Sequence, residues 1–455
     1  MARGLLIAAP ASGSGKTVMT LALLRHFRRS GLPVASVKVG PDYIDPAFHA
    51  VASGRPCLNL DSWAMRAGTL AALVAEAEGG AELVLGEGVM GLFDGAHSGA
   101  RAGAPVEDAG STAELARLTG WPVVLVVDVR GMAASAAALL KGFIEYRPEV
   151  PIAGAIFNRV GGEGHAELLR AACAPLGLPV LGCIPRSAEL VLPDRHLGLV
   201  QAVEHADLES FLEGAAGVVA RHVDTEALCN LAAGGRLAAR RGRNAASPPL
   251  PPLGQRIAVA RDPAFAFAYP HVLQGWRRAG AELGEFSPLT DEAPDGAADA
   301  VYLPGGYPEL HAGRLAANRA FRDGLHRAAE RGAAIYGECG GYMVLGEGLI
   351  DAEGACHAMT GLLPLETSFA ERRLHLGYRE ASLSAPSALG EAGAAFRGHE
   401  FHYATVLREE SDAPLFRCRA ADGRDLGTAG GRRGAVMGSF LHLIDAAFAG
   451  GAGPC

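Results

Sequence analysis

The sequence lacks the features by which several classes of protein are recognised. Its eight cysteines are scattered and form no Cys-x-x-Cys pair, so neither a zinc site nor a disulfide framework is indicated. No segment approaches the ~18 uninterrupted apolar residues of a membrane-spanning helix. Basic residues are in deficit, with 41 Lys and Arg against 49 Asp and Glu and a formal net charge of -8. The scattered cysteines lead us to expect a cytoplasmic protein. The deficit of basic residues argues against a general role in binding nucleic acid or anionic membranes.

What remains is an ordinary globular composition, with 49% hydrophobic and 20% charged residues over 455 positions. This length predicts two or three domains. Short apolar runs alternate with helix-like stretches in the first half of the chain. Several of the runs are apolar on both faces, as the strands of a covered parallel sheet are. This alternation predicts a doubly wound α/β domain over residues 1–230.

The composition changes after this first domain. Residues 231–254 are rich in Gly, Arg, Ser and Pro and are typical of an exposed linker. The alternation then restarts with the apolar runs RIAVAR, ADAVYLPGG, AAIYGECGG and GAVMGSFLH, and a helix is expected from about Tyr269 to Gly280. We therefore predict a second α/β domain over residues 255–455.

The stretch APASGSGKT, residues 9–17, has the arrangement of a P-loop, in which a glycine-rich turn joins a strand to a helix. Its backbone N–H groups can converge on phosphate oxygens, while the lysine reaches the β- and γ-phosphates and the threonine binds Mg²⁺. Pro10 stands where the strict pattern has glycine. The alternative is a turn with an incidental Gly-Lys-Thr, which the position between strand and helix disfavours. The predicted nucleotide-binding residues of this loop are Gly13, Ser14, Gly15, Lys16 and Thr17.

Acidic residues follow the later strands of the same predicted sheet: Asp42 and Asp45 in KVGPDYIDPAFH, Glu87 and Asp94 in GEGVMGLFDG, and Asp128 at the end of PVVLVVD. The carboxyl ends of parallel strands meet at one edge, so these carboxylates should face the P-loop, where they could hold Mg²⁺. Lys38 precedes the first of these turns and could neutralise charge on a transferring phosphoryl group. The alternatives are turn-forming aspartates, a solvated glutamate and a lysine that only ends a strand.

A cysteine occupies a second glycine-rich turn, in YGECGGYMVLGEG, residues 336–348. Small neighbours on both sides of Cys339 permit the strained strand-to-helix turn of a nucleophile elbow. The backbone N–H of Gly340 can then stabilise an oxyanion, with a second donor from Gly306 in LPGGYPEL. His442, in MGSFLHLID, is the candidate base, because a nucleophilic cysteine and its histidine need to be adjacent in space only. The alternative is a buried, inert cysteine.

With these motifs assembled, the chain resembles the cobyrinic/hydrogenobyrinic acid a,c-diamide synthases, which are glutamine-dependent amidotransferases of cobalamin biosynthesis. The resemblance covers nearly the whole length. The segments that carry it are APASGSGKT, KVGPDYIDPAFH, NLD, GEGVMGLFDG, NRV, RHLGL, LPGGYPE, YGECGGYM, GHEFHY and GSFLH. It implies a P-loop domain similar to dethiobiotin synthetase, followed by a class I glutamine amidotransferase domain.

The resemblance also implies the reaction. Cys339 would attack the side-chain amide of glutamine and release ammonia, while the first domain would transfer the γ-phosphoryl group of ATP to a corrinoid carboxylate. Ammonia would then displace phosphate, and two rounds would amidate the a and c side chains. ATP is therefore the expected co-substrate and Mg²⁺ the expected cofactor. Glutamine and cobyrinic or hydrogenobyrinic acid are the expected partners, and a homodimer is left open.

Further positions take their expected roles from this resemblance. Thr17, Asp42 and Glu87 are the expected Mg²⁺ ligands, and Lys38 is expected beside them in the phosphoryl-transfer site. Asn158 is a candidate reader of adenine. The residues expected at the corrinoid or another acidic ligand are Tyr43, Ile44, Asp94, Arg195 and His196, with helix capping as the alternative for the last two. Residues 302–309 and 398–403 are expected to frame the glutamine pocket, although Glu400 and His402 have a structural alternative.

One position departs from the family pattern. Class I glutaminases carry an acidic group two residues beyond the catalytic histidine, where this chain has Ile444, followed by Asp445. Either Cys339 and His442 act as a pair, or another acid is recruited.

Other functions are open at this stage. A Ni-sirohydrochlorin a,c-diamide synthase would use a different tetrapyrrole, and a cobyric acid synthase is disfavoured by the segments KVGPDYIDP and RHLGL. A partitioning-type P-loop ATPase with a non-catalytic glutaminase-like module belongs to a different class. Such ATPases commonly place a signature lysine where this chain has Ala11, and the retention of Cys339 and His442 also disfavours that class.

Overall fold

The computed structural model describes residues 2–96, 109–191, 207–237, 247–410 and 413–447, together with the backbone of residues 194–195 and 198–199. The chain forms two compact units. The first is formed by Met1–Trp63, Ala67–Ala96 and Glu107–Ala245, and the second mainly by Ala64–Arg66 and Ala246–Cys455.

The first unit alternates strands and helices, as the sequence predicts. Its strands are β1 (Arg3–Ala8), β2 (Val34–Val39), β3 (Leu58–Leu60), β4 (Leu83–Glu87), β5 (Val123–Asp128), β6 (Ile152–Val160), β7 (Val180–Pro185), β8 (Asp194–Arg195), β9 (Gly198–Leu199) and β10 (Ala233–Gly234). Its helices are α1 (Lys16–Arg29), α2 (Ile44–Ser53), α3 (Ala67–Glu78), α4 (Thr112–Thr119), α5 (Ser135–Tyr146), α6 (Glu163–Cys173), α7 (Leu208–His222) and α8 (Thr225–Leu231).

The main sheet of this unit has the strand order β3-β2-β4-β1-β5-β6-β7, and neighbouring strands in this order are parallel. The first five residues of β5 are buried, which explains why its sequence is apolar at both alternating positions. The short β10, at the start of the predicted linker, pairs antiparallel with β1. The predicted doubly wound parallel sheet is therefore present.

Strand order decides which loops of the first unit meet. β1 lies between β4 and β5, so the loop after β1 is flanked by the ends of β4 at Glu87 and of β5 at Asp128. β2 pairs with β4 in a register that places Lys38 beside Glu87. Residues that lie tens of positions apart in the sequence thus come together at the carboxyl edge of the sheet.

The second unit combines a parallel sheet with an antiparallel extension. Its strands are β11 (Arg256–Ala260), β12 (Glu282–Phe286), β13 (Ala300–Leu303), β14 (Ala334–Glu338), β15 (Gly348–Ile350), β16 (Cys356–Ala358), β17 (Leu365–Ser368), β18 (His375–Leu383), β19 (Ala395–His402), β20 (Thr405–Glu409), β21 (Pro414–Ala420), β22 (Asp425–Arg433), β23 (Val436–Ser439) and β24 (Leu441–Ala446). Its helices are α9 (Pro270–Arg278), α10 (Ala312–Ala317), α11 (Arg319–Glu330) and α12 (Gly340–Leu345).

The large sheet of the second unit has the order β12-β11-β13-β14-β23-β22-β21-β18-β19-β24. The pairs from β12 to β23 are parallel, and those from β23 to β24 are antiparallel. A smaller sheet has the order β16-β15-β17-β20. The sequence predicts the parallel strands, but the antiparallel strands β18 to β22 were not anticipated.

The core of the second unit packs α11 and α12 against the parallel strands. Leu303 and Ile335 of the sheet, Phe321 and Leu325 of α11 and Val344 of α12 are all buried in one apolar cluster. This packing fixes the end of β14, where Cys339 lies. Within the residues that the structure describes, no helix has both the length and the apolar character needed to cross a membrane.

Candidate functional site

The turn between β1 and α1 has the backbone conformation that a P-loop requires. Gly15 has a φ of 96°, a left-handed conformation that favours glycine, and lies directly before α1. A β-carbon on Gly15 would lie 2.3 Å from Nδ2 of Asn158, so a larger residue would not fit there. The loop therefore leads directly into the positive end of α1, which is suited to binding phosphate.

Lys16 is the buried cation of this loop. Its Nζ donates a hydrogen bond to the carbonyl of Met90 at 2.5 Å and a longer one to the carbonyl of Ala11 at 3.4 Å. Burial lowers the pKa of Lys16, although the carboxylate of Glu87 opposes this effect. Because backbone carbonyls hold the amino group, Lys16 has a defined position beside the loop. The part played by Met90 was not predicted from the sequence.

Glu87 lies at the centre of the acidic cluster. Its Oε1 accepts hydrogen bonds from Oγ1 of Thr17 at 2.6 Å and from Nζ of Lys38 at 2.8 Å. The same Lys38 amino group donates to Oδ2 of Asp45 at 2.5 Å and lies 3.6 Å from Oδ2 of Asp42. The structure thus brings together the threonine, the lysine and the carboxylates that the sequence predicts for the phosphoryl-transfer site.

His49 is a member of this cluster that sequence reasoning missed. Its Nε2 lies 2.5 Å from Oε2 of Glu87, and Sγ of Cys57 lies 3.5 Å from its Nδ1. Burial would lower the pKa of His49, but the Cys57 thiol and the Glu87 carboxylate raise that pKa to about 10. Burial would likewise raise the pKa of Glu87, but Lys38 and His49 together hold it well below its usual range. A charged His49 and an ionised Glu87 therefore stabilise one another inside the fold.

The turn before α2 contains the other predicted residues of this edge. Oδ1 of Asp42 accepts hydrogen bonds from the backbone N–H groups of Ile44 at 2.8 Å and Asp45 at 3.1 Å, so this oxygen stabilises the start of the helix. Oδ2 of Asp42 faces Lys38, and Tyr43 and Ile44 are partly exposed beside it. Asp42 thus combines the turn-forming role with a place in the acidic cluster.

Asp94 lies in the loop that follows β4. Its Oδ2 accepts a hydrogen bond from the backbone N–H of Gly91 at 2.8 Å. A β-carbon on Gly91 would lie 2.7 Å from the carbonyl of Pro10, which shows that this loop packs against the P-loop. Asp94 also acts electrostatically on Lys16. Its carboxylate therefore belongs to the same edge of the sheet.

A cavity of about 600 Å³ opens beside the P-loop. Asn158 lines this cavity, and its Nδ2 donates a hydrogen bond to the carbonyl of Ser14 at 2.9 Å. The structure therefore gives Asn158 a role in holding the loop, while the reading of adenine stays a prediction. The other lining residues include Arg130, Arg159, Arg186, Pro185, Leu190 and Val191, which were not predicted.

Arg195 and His196 cannot be placed in a site. The backbone of Arg195 belongs to β8, which pairs with β9, but its side chain lies outside the described part of the chain. His196 lies outside the described residues altogether. Their predicted contacts with an acidic ligand stay predictions.

In the second unit, Cys339 occupies a sharp turn between β14 and α12. Its φ of 47° and ψ of -104° are strained for a residue other than glycine, as in a nucleophile elbow. The backbone N–H of Cys339 donates to the carbonyl of Ser439 at 2.8 Å, and its thiol lies 3.8 Å from the carbonyl of Phe401. Burial, with a contribution from Glu309, raises the pKa of the Cys339 thiol. The thiol is thus protonated at neutral pH until a base removes its proton.

His442 lies against the loop that carries Gly305 and Gly306. A β-carbon on Gly305 would lie 2.3 Å from Cε1 of His442. The ring of His399 stacks on the imidazole of His442, with 4.9 Å between the two ring centroids. Burial, together with His399, lowers the pKa of His442, which favours the neutral imidazole that a base requires. A β-carbon on Gly340 would lie 3.0 Å from the backbone nitrogen of Gly306. The two predicted oxyanion donors therefore lie side by side.

The described residues after His442 do not supply the usual third group. Ile444 is apolar, and the carboxylate of Asp445, which follows a register shift in the pairing of β24 with β19, is bound by Arg66. Asp445 accepts hydrogen bonds from the backbone N–H and Nε of Arg66, a residue of the same compact unit. Glu400 instead forms a carboxylate–imidazole pair with His402 at 3.0 Å.

Segments 302–309 and 398–403 contribute carboxylates near the thiol. Glu309 is partly buried, and its desolvation raises the pKa of its carboxyl to about 7. Both Glu309 and Glu400 act electrostatically on Cys339. Arg379 donates to Oε2 of Glu400 at 2.9 Å from Nε. These contacts are compatible with the predicted glutamine pocket and equally with a structural role for Glu400.

Comparison with known proteins agrees with the two sites. Residues 5–200 match the CobQ/CobB/MinD/ParA nucleotide binding domain, and residues 256–449 match the CobB/CobQ-like glutamine amidotransferase domain. These matches confirm the predicted pairing of a P-loop domain with a glutamine amidotransferase domain.

Close relatives extend over almost the whole chain. Hydrogenobyrinate a,c-diamide synthase of Brucella suis biovar 1 (strain 1330) is 56% identical over 444 residues, which are 97% of this chain and 98% of the relative. The proteins of the same name from Rhodobacter capsulatus (54% over 442 residues) and Rhizobium meliloti (53% over 447 residues) match 97% of this chain and 98% and 99% of their own lengths. The chain therefore belongs to the hydrogenobyrinate a,c-diamide synthase family.

Proposed function

We propose that the protein amidates the a and c carboxylates of hydrogenobyrinic acid, with ATP as the activating co-substrate and glutamine as the nitrogen donor. The observation that carries this proposal is the presence, in one chain, of a P-loop beside an acidic cluster and of a strained cysteine turn whose next residue, Gly340, packs against the Gly305–Gly306 loop that contacts His442. The identity of 56% to a hydrogenobyrinate a,c-diamide synthase over 97% of the chain supports the choice of macrocycle.

The two reactions are assigned to two domains. We assign ATP-dependent activation to residues 1–230, a linker to residues 231–254 and glutamine hydrolysis to residues 255–455. Both halves are needed because a free carboxylate is a poor electrophile and ammonium is a poor nucleophile at neutral pH. Since ATP and glutamine are abundant in the cytoplasm, we place the protein there.

Glutamine hydrolysis starts at the Cys339 thiol. His442 takes the thiol proton, and the sulfur attacks the side-chain amide carbon of glutamine. The backbone N–H groups of Gly306 and Gly340 stabilise the oxyanion that forms. The C–N bond breaks, the leaving nitrogen takes a proton from His442, and ammonia departs. Water then hydrolyses the γ-glutamyl thioester and restores the thiol.

Activation uses the carboxylate of the macrocycle as the nucleophile. A carboxylate oxygen attacks the γ-phosphorus of ATP, ADP leaves, and an acyl phosphate remains. Lys16 and Lys38 stabilise the charge that is spread over the transferring phosphoryl oxygens. Ammonia then attacks the acyl carbon and phosphate leaves, which gives one amide. A second ATP and a second glutamine convert the other carboxylate.

The acidic cluster fits a magnesium ion. Mg²⁺ prefers oxygen ligands, and the hydroxyl of Thr17 and the carboxylates of Glu87 and Asp42 supply them, with Asp45 beside them. When bound, Mg²⁺ would neutralise charge on the β- and γ-phosphates. Tyr43, Ile44 and Asp94, at the same edge of the sheet, are the residues that we assign to the macrocycle.

A single assay tests this function. The full-length protein is incubated with ATP, Mg²⁺ and glutamine and with one of three acceptors: hydrogenobyrinic acid, cobyrinic acid or Ni-sirohydrochlorin. Mass spectrometry is expected to show two carboxyl-to-amide conversions in hydrogenobyrinic acid. Amidation of Ni-sirohydrochlorin alone would assign the protein to the alternative tetrapyrrole, and an absence of amidation in all three acceptors would refute the proposed function.

A further inference from the structure

Two arginines at the cavity beside the P-loop share one carboxylate. Asp128, at the end of β5, accepts a hydrogen bond at 2.6 Å from Nη1 of Arg159, and at 2.9 Å from Nε of Arg130. Both arginines line the cavity beside the P-loop. Asp128 was a candidate Mg²⁺ ligand on sequence grounds, but its two oxygens are occupied by these guanidinium groups.

The charges of this group do not balance. Asp128 contributes -1, while Arg130 and Arg159 contribute +1 each, so that the three side chains sum to +1. A cavity wall with one excess guanidinium charge is suited to an anionic ligand. The ligand class expected in this cavity, a nucleotide, is anionic through its phosphates.

The backbone of Arg159 is strained. Its φ of 61° is left-handed, and arginine is one of four residues other than glycine with positive φ among the described residues. The pairing of β6 with β7 shifts its register between Phe157 and Val160, at the same place. A non-glycine residue that keeps such a conformation usually does so because its side chain or backbone has a specific task there.

The strained turn places the Arg159 side chain at the P-loop. Its Nη1 donates to the carbonyl of Gly13 at 2.9 Å, while Asn158, the preceding residue, binds the carbonyl of Ser14. The backbone N–H of Arg159 in turn donates to Oδ1 of Asn158 at 2.9 Å. Two neighbouring side chains therefore reach two neighbouring carbonyls of the loop, and only the arginine brings a charge.

We propose that Arg159 binds the β- and γ-phosphates of the nucleotide, with Asp128 holding its guanidinium at the cavity and Arg130 sharing that carboxylate. The proposal rests on the proposed use of ATP. When a nucleotide binds, a phosphate oxygen takes the place of the Gly13 carbonyl as acceptor, and Asp128 keeps its bond. The planar guanidinium suits this role, because it can donate two parallel hydrogen bonds to phosphate.

The strained backbone of Arg159 makes glycine the substitution of choice for the test. Glycine adopts a φ near 60° without strain, so Arg159→Gly removes the side chain and relieves the backbone in one change. The same change removes the hydrogen bonds of Arg159 to Asp128 and to the carbonyl of Gly13, so its melting temperature is measured beside its affinity to show that the variant is folded. Its affinity for ATP and ADP is expected to fall by about 10-fold or more, as is usual when a charge-assisted hydrogen bond to phosphate is lost.

The measurement is equilibrium binding of ATP, ADP and AMP to the full chain with Mg²⁺, without glutamine or a macrocycle. AMP, which has neither the β- nor the γ-phosphate, should bind Arg159→Gly within about twofold of the unmodified protein. Arg159→Lys keeps the charge but loses the planar fork, so its affinity for ATP should lie between those of Arg159→Gly and the unmodified protein. Arg170→Ala is the control for net charge, because Arg170 is an exposed residue of α6 whose ion pair is with Glu163.

Two results would overturn the proposal: unchanged affinity of Arg159→Gly for ATP and ADP, or an equal loss of AMP affinity. The second result would show that Arg159 only shapes the loop. Because no acceptor is present, an error in the macrocycle assignment leaves these binding results unchanged, whereas a failure of ATP binding by the unmodified protein would refute the proposed function itself.

Discussion

The imidazole of His442 lies so close to the backbone of Gly305 that a β-carbon at that position would come within 2.3 Å of Cε1. His442 and His399 have stacked rings, so the imidazole of His442 lies against both this backbone and its neighbour. The glycine is therefore required by a close approach and not by its own conformation. The position of the candidate base depends on the absence of one methyl group.

We predict that Gly305→Ala displaces His442 and removes glutamine-dependent amidation, with a loss of about 100-fold or more, as for other general bases. Amidation with added ammonium salts should persist, because the P-loop residues are unchanged. The control is Gly313→Ala in α10, where the nearest atom to the new β-carbon lies 3.5 Å away. Equal loss of both activities in Gly305→Ala would show that the glycine serves folding.

The pair of His49 and Glu87 offers a test of stability. His49→Ala leaves the buried Glu87 carboxylate without a partner on Oε2, and breaking such a pair typically costs about 3–5 kcal/mol. His49→Gln keeps a side-chain N–H near Nε2 and should recover part of that loss. The denaturant midpoints of the two variants measure the difference. If both variants unfolded at the same midpoint, the bond to Glu87 would not be the source of the effect.

A substitution of Lys16 distinguishes ATP-dependent amidation from glutamine hydrolysis. We expect Lys16→Ala to reduce amidation by about 100-fold or more with either glutamine or ammonium as the nitrogen source, because charge stabilisation on the phosphoryl group is lost. Glutamine hydrolysis, measured as glutamate formed, does not use this residue directly. Lys141→Ala on the exposed face of α5 is the matched control. Normal amidation by Lys16→Ala would remove the P-loop from the mechanism.

Glu338 predicts a dependence of stability on pH. Burial raises the pKa of its carboxyl to about 7, from 4.5 in an unfolded chain, although hydrogen bonds from Tyr302, Tyr336 and the backbone N–H of Leu443 favour the charged form. The folded protein therefore binds this proton more tightly than the unfolded chain. The free energy of unfolding should fall as the pH rises from about 4.5 to 7, by roughly 3 kcal/mol.

Glu338→Gln removes this titration. The melting temperature of Glu338→Gln minus that of the unmodified protein should therefore be higher at pH 8 than at pH 5. Glu282→Gln, an exposed change in β12, should show no such difference between the two pH values. A Glu338→Gln effect that is the same at both pH values would contradict the buried, raised carboxyl.

The sequence predicted the elements that local patterns define. Apolar runs identified the parallel strands, and glycine spacing identified the turns at Lys16 and Cys339, because both signals are local in the chain. The side chains that complete each site were harder to foresee. His49 reaches Glu87 across 38 residues, and Arg159 reaches Gly13 across 146, through strand order and a strained backbone that no short pattern specifies.

The antiparallel strands of the second unit show the same limit. β18 to β22 contain many exposed and partly exposed residues, so that alternation along them is weak. Their positions are set by pairing with distant strands, such as that of His399 beside His442. The segment GHEFHY suggests a histidine near the thiol, but only the folded chain identifies His399 as the neighbour of His442.

The transfer of glutamine nitrogen to an ATP-activated carboxylate is the centre of this account, and an isotope experiment tests it directly. The protein and its Cys339→Ala variant receive ATP, Mg²⁺, hydrogenobyrinic acid, glutamine labelled with ¹⁵N in the side-chain amide, and unlabelled ammonium. We predict ¹⁵N in both new amides for the unmodified protein, and only unlabelled nitrogen in the amides made by the variant. Labelled amides from Cys339→Ala, or amides formed without ATP, would contradict the account.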